Sequence, residues 1–230
     1  MTAGKKRLLL FDIDGTLITS GGAGEHALKL TISERFGITD DLRDIEIAGM
    51  TDSGIVANIL KKHGVPQSKE NVAAFLDSYV QFLSLELPQR KGTLLPGVLK
   101  LLEKLKRRNH LVLALLTGNV ARGAQLKLEH YGVWNFFEFG AFADDHHDRN
   151  MLGAFARTRA QDVHGREFLP NEIDVIGDTP RDIECGKAFG ARTIAIATGS
   201  WPREKLAAHK PDFLLDDLSD ADAVIEQLGW

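Results

Sequence analysis

Apolar residues fall along this chain in two kinds of run. Residues 8–11, Leu111–Leu116 and 173–176 are short and nearly unbroken, the pattern of strands buried on both faces of a parallel sheet. Residues 193–197 and Phe213–Leu215 extend the series to five. Between them the spacing turns helical. Val98, Leu101, Leu102 and Leu105 recur at intervals of three and four. Residues 121–131 and 182–189 read as helices stopped by Gly132 and Gly190, each suited to a left-handed C-terminal cap. Ser219, with Asp222 three positions on, reads as a capping box for a last helix.

Strands alternating with helices predict an α/β fold, a Rossmann-like and mainly parallel sheet flanked by helices. Residues 19–92 break the alternation. They carry helical stretches at 25–36, 53–63 and 69–87 and no buried strand, so an all-helical insertion is expected after the first strand. The expected organisation is a core of residues 1–18 and 93–230 and an insertion of residues 19–92, returning through 88–93.

Composition narrows the partners. The chain has 230 residues, 43 % apolar and 26 % charged, enough to bury a core. A net charge of −4 advertises no basic surface, so neither nucleic acid nor an anionic membrane is an expected partner. Cys185 is the single cysteine, which excludes an internal disulfide and a thiolate metal cluster. Residues 1–7 are basic, but only four apolar residues follow before Asp12, too few for a signal peptide. A cytoplasmic monomer or homodimer is expected.

Ligands of open parallel sheets bind at the carboxyl ends of the strands. Asp12-Ile13-Asp14-Gly15-Thr16-Leu17 follows the first run, Thr117-Gly118-Asn119 the second, and Gly177-Asp178-Thr179-Pro180-Arg181-Asp182 the third. Acids gathered at one edge repel unless a cation neutralises them, and hard oxygen ligands favour Mg²⁺. A cation would also let this acidic edge hold a phosphate. Gly15 permits a tight turn with free N–H groups, Thr117 can donate to a phosphoryl oxygen, and Asn119 can fix the loop or reach the ligand. Of the Asp12/Asp14 pair, one carboxylate can attack while the other serves as general acid and then base.

These three segments resemble, in order and separation, the first, second and fourth motifs of the haloacid-dehalogenase-like superfamily. The resemblance implies that Asp12 is the nucleophile and Asp14 the acid/base. It implies that Asp12, the backbone carbonyl of Asp14 and Asp178 hold Mg²⁺ with Asp182 in support, and that Thr117, Gly118 and Asn119 bind phosphate. The usual third-motif lysine has no match. Arg149 in Asp148-Arg149-Asn150, ahead of a helix at 150–163, is the expected replacement, with Arg157 or Arg159 behind it. The insertion resembles the superfamily's helical cap. Gly49-Met50-Thr51-Asp52 and the stretch Ser20-Gly21-Gly22-Ala23-Gly24 are similar to the phosphoglycolate-phosphatase-like branch, which makes Thr51 a candidate substrate contact.

The implied activity is hydrolysis of a small phosphorylated metabolite, 2-phosphoglycolate being the best single guess. A sugar-phosphate mutase and a non-catalytic phosphate-ligand-binding or regulatory domain are the alternatives. Thr51 reads first as a helix N-cap and only second as that contact, His146 and His147 as exposed loop residues, and Trp134, Trp201 and Trp230 as packing residues.

Overall fold

The computed structural model describes residues 6–230; residues 1–5, and with them most of the basic N-terminal stretch, lie outside the described part. Strand β1 (Arg7–Phe11) opens the chain, followed by the short β2 (Ile18–Thr19). Helices α1 (Ala23–Phe36), α2 (Asp52–Lys62) and α3 (Lys69–Glu86) come next. Then follow β3 (Thr93–Leu94), α4 (Val98–Lys106), β4 (Leu111–Leu116), α5 (Ala121–His130) and β5 (Gly140–Ala141). The chain closes with α6 (Leu152–His164), β6 (Ile173–Gly177), α7 (Pro180–Ala188), β7 (Arg192–Ile196), α8 (Arg203–Ala208), β8 (Phe213–Leu215) and α9 (Ala221–Leu228).

Six strands form one parallel sheet in the order β5-β4-β1-β6-β7-β8. The unbroken apolar runs have a direct cause. Leu9 and Phe11 of β1 join Leu113 and Leu115 of β4 in a cluster with α4 and α9. Leu8 and Leu10, with Val112 and Ala114, join a second cluster with α6 on the other face. Successive side chains alternate faces, and both faces are covered. The sixth strand, β5, has two residues, too few to register as a run. β2 and β3 pair antiparallel as a separate ribbon where the chain leaves the sheet toward α1 and returns.

Helices α1, α2 and α3 share a third apolar cluster that includes Leu28, Ile32, Ile59, Phe75 and Leu83. One helix start differs from expectation. Asp220 caps α9 by accepting from the Ala223 N–H, while Ser219 donates instead to Asp217. An Asx-type turn at Asp217 occupies the serine, leaving the cap to the next oxygen-bearing side chain.

Candidate active site

From β1 the chain passes toward β4 on one side of the sheet, whereas from β6 it passes to β7 on the other. A crevice therefore opens between the carboxyl ends of β1 and β6, the switch point at which such sheets bind ligands. Asp12 follows β1 directly and its N–H donates to the Ile176 carbonyl at 2.9 Å. Asp178 follows β6. Between them the chain turns tightly, with the Leu17 and Ile18 N–H groups both donating to Ile13. Gly15 has φ 82°, and a Cβ there would overlap the Asp178 carboxylate. Gly199 presses on the same carboxylate. These two glycines, and the Thr16 hydroxyl donating to Asp178 Oδ1 at 3.1 Å, seat the acid.

Asp182 is placed by helix chemistry. Thr179 is the N-cap of α7, Pro180 occupies the first turn, and Asp182 Oδ2 accepts from the Thr179 N–H at 2.9 Å and its hydroxyl at 2.7 Å. This brings one oxygen each of Asp12, Asp178 and Asp182, all buried, within 4.8 Å of one another. Burial, reinforced by Asp182 and Asp14 against the opposing pull of Arg149, pushes the Asp12 carboxyl up to about 6. Burial and the neighbouring Asp182 and Asp12 raise Asp178 well above the usual carboxylate range.

Arg149 is the cation of this cluster. It lies in a 3-10 turn just before α6, its side chain buried. Nη2 donates to Asp182 and lies 3.0 Å from Asp12 Oδ1, while Nη1 donates to the Gly49 carbonyl at 3.0 Å. Arg157 and Arg159 point elsewhere, to Glu167 and Asp145.

Asp14 faces another way. Its Oδ2 accepts from Asn119 Nδ2 at 3.0 Å and from Lys127 Nζ at 2.6 Å. The Asp14 side chain is 39 % exposed against 6 % for Asp12, so water reaches Asp14 far more freely. Asn119 holds this corner together: Nδ2 also donates to Thr117 Oγ1 at 2.8 Å, and Oδ1 accepts from Lys127 at 2.6 Å. The Thr117 hydroxyl, accepting from Asn119, keeps its own proton for Asp12, whose pKa it lowers. Gly118 lines the crevice, and its carbonyl accepts from the Asp52 N–H at 2.7 Å. A side chain there would enter the Met50 carbonyl, so glycine lets the 49–51 loop lie against the sheet edge.

Thr51 fills the first of its two expected roles, the helix cap, and only the substrate contact requires a correction. It is buried and caps α2, accepting from Gly54 N–H at 3.2 Å and donating to the His147 carbonyl at 2.6 Å. Its hydroxyl is committed to the protein, and the crevice is lined instead by its neighbours Met50 and Asp52. Two buried charged residues of the crevice were not anticipated. Lys127 is 4 % exposed, and although burial alone would lower its ammonium, the carboxylates of Asp14 and Asp52 more than reverse that. Its signal was a charge on the stripe Gly123, Ala124, Leu128 that α5 buries. Asp52, in the first turn of α2, accepts from the Val120 N–H at 2.8 Å.

The crevice encloses about 430 Å³ and runs from Asp12 and Asp178 past Asp14 to Lys127, Tyr79 and the start of α1. That volume suits a small ligand. Its acids fit a hard divalent cation: three buried carboxylates face one point, two with raised pKa, and a single guanidinium does not neutralise them. Among the described residues no helix is long and apolar enough to cross a membrane.

A family model described as haloacid dehalogenase-like hydrolase matches residues 9–196. The "Probable phosphatase IndB" of Dickeya dadantii is 28 % identical over 228 residues, covering 94 % of this chain and 91 % of that protein. The phosphoglycolate phosphatase of Aquifex aeolicus is 28 % identical over 214 residues, covering 93 % and 94 %. Among solved structures, CbbY from Rhodobacter sphaeroides in complex with phosphate superposes with a TM-score of 0.76 at 18 % identity, covering 94 % of this chain and 96 % of that one. At that identity the likeness concerns the fold.

Proposed function

The chain belongs to the haloacid dehalogenase-like hydrolases, and from that premise we propose that it is a Mg²⁺-dependent phosphatase of small phosphorylated metabolites, with 2-phosphoglycolate the first candidate. The observation that carries this reading is the convergence of Asp12, Asp178 and Asp182 with Arg149 at the switch point of the sheet.

Asp12 attacks phosphorus in line with the ester oxygen. The P–O ester bond breaks as the Asp12 oxygen–phosphorus bond forms, and Asp14 gives its proton to the departing oxygen. Asp14 then takes a proton from the water that attacks the aspartyl-phosphate, releasing phosphate and restoring Asp12. The contrast in exposure supports this division: the attacking group is dry, and the proton carrier can re-equilibrate with solvent. Arg149 orients Asp12, and the Thr117 hydroxyl turns its proton from Asp12 to the phosphoryl oxygens, with the Gly118–Asn119 backbone beside them. Mg²⁺ would be held by Asp12, Asp178 and the Asp14 carbonyl with Asp182 in support, and when bound it supplies positive charge against the phosphoryl oxygens. Residues 19–92 act as a cap on the core of 1–18 and 93–230, closing the crevice from the side of α1 to α3.

The test is a panel of phosphorylated metabolites read as kcat/KM with Mg²⁺ and with chelator. Mg²⁺-dependent release of phosphate, strongest for a small ester, is expected. No release from any ester would overturn the reading.

A further inference from the structure

The far end of the crevice holds donors that the phosphoryl chemistry leaves unused. Lys127 has three N–H groups, and its two hydrogen bonds go to Asp14 and Asn119. Tyr79, 2 % exposed, lines the crevice, and its hydroxyl donates to no group among the described residues. These two groups converge. Oη of Tyr79 lies 3.5 Å, and Nζ of Lys127 3.8 Å, from the point where a Cβ on Gly24 would stand. Glycine leaves that point open, and Gly24 itself lines the crevice.

The same point borders the first turn of α1, a helix of 14 residues whose N-cap, Gly22, offers no side-chain oxygen. The N–H groups of Ala23 and His26 are used by Ser20 and Gly22, but those of Gly24 and Glu25 donate to nothing among the described residues. The Glu25 carboxylate is drawn off by Lys29 at 2.6 Å. A helix start with free N–H groups, a buried phenol and a buried ammonium around one space make a receptor for an anion. Lys127 already shares its charge with Asp14, and Asp52 stands close by. A monoanion therefore suits the space better than a second phosphate.

We propose that Lys127, Tyr79 and the first turn of α1 form a subsite for a carboxylate on the leaving group, making phosphate esters of small hydroxy acids the substrate class. This rests on the phosphatase reading and adds the residues that choose among esters. Lys127 then ties the two ends of the site together, holding Asp14 beside the ester oxygen and the carboxylate beyond it.

The test compares 2-phosphoglycolate with 2-hydroxyethyl phosphate, which has a hydroxymethyl group in place of the carboxylate. The parent should favour the carboxylate in kcat/KM by about tenfold or more, because a site built to hydrogen-bond a group discriminates against its absence. Gly24→Ala, Tyr79→Phe and Lys127→Met should each cut that ratio by about fivefold or more. Gly24→Ala is the key variant. Its Cβ makes only ordinary contacts and alanine favours a helix, so the fold is retained while the space is filled. A ratio near one in the parent, or one unchanged by Gly24→Ala, overturns the subsite. Glycolate, which has no phosphate, provides a second reading by NMR: it should shift the Gly24 and Glu25 amides in the parent and not in Tyr79→Phe. If neither ester is hydrolysed, the panel of esters decides the phosphatase reading, and the titration decides the subsite alone. Shifts at those two amides support it, and their absence contradicts it.

Discussion

Buried carboxylates in this chain are stabilised to different degrees, and the difference is measurable one residue at a time. Asp182 has the Thr179 donors and Arg149 around it. Asp52 has one backbone N–H, and burial, only partly offset by Lys127, pushes its carboxyl up to about 6 from an ordinary 3.8. An acid whose pKa is raised on folding binds its proton more tightly in the native state. Native stability is therefore highest with Asp52 protonated and declines as pH rises through about 4 to 6. Asparagine cannot ionise, so Asp52→Asn should gain on the parent by roughly 1–2 kcal/mol between pH 5 and 7.5, each tenfold change in proton affinity being worth about 1.4 kcal/mol. Denaturant midpoints at the two pH values check this, and a gap independent of pH contradicts it. At this scale Asp12, Asp14, Asp178 and Asn119 were legible because each stands where an apolar run ends. Lys127 was not, because its neighbours in sequence read as an ordinary amphipathic helix and its partners lie 113 and 8 positions away.

Elements position the site through their ends. The start of α7 places Asp182 by a capping box, the start of α2 is fixed by Thr51, and the turn before α6 delivers Arg149. Thr51 shows how a loop residue beside a site can be structural. Thr51→Ala removes both the cap on Gly54 and the bond to His147, and should cost about 1–2 kcal/mol of stability. With its hydroxyl outside the crevice, kcat/KM measured well below the melting temperature should stay within about twofold of the parent. A larger loss in kcat/KM at unchanged stability would restore Thr51 as a substrate contact. The long strands and helices were legible because hydrophobic period dictates them. The two-residue β5 and the β2–β3 ribbon were not, since their pairing depends on partners distant in sequence.

Across the whole molecule, the sheet separates two jobs. Its carboxyl edge carries the acids, and the opposite edge carries a structural hub at Asp174. That residue is fully buried and accepts from Arg7 at 2.6 Å, from Arg192 at 2.8 and 2.6 Å, and from the Trp230 indole at 2.5 Å, joining both ends of the described chain to β6. Asp174→Ala strands two guanidinium groups and should cost roughly 3 kcal/mol or more. Its Michaelis constants should match the parent's below the melting transition, and a selective rise in KM would show that the two edges are coupled. The α/β architecture and the order of its acid-bearing loops were legible because the strand runs and the residues after them are local signals. Arg149 could be named from sequence, but its contact with Asp12 and Asp182 depends on how the turn before α6 packs against β1 and α7. The central claim concerns a single atom pair, a carboxylate oxygen of Asp12 and phosphorus. Rapid quenching of the Mg²⁺-loaded enzyme during turnover of a phosphate ester, followed by peptide mass spectrometry, reads it directly. The phosphoryl group should be found on the peptide carrying Asp12, be released by hydroxylamine, and vanish together with turnover in Asp12→Asn. A phosphoryl group on another side chain, or turnover surviving in Asp12→Asn, would contradict the account.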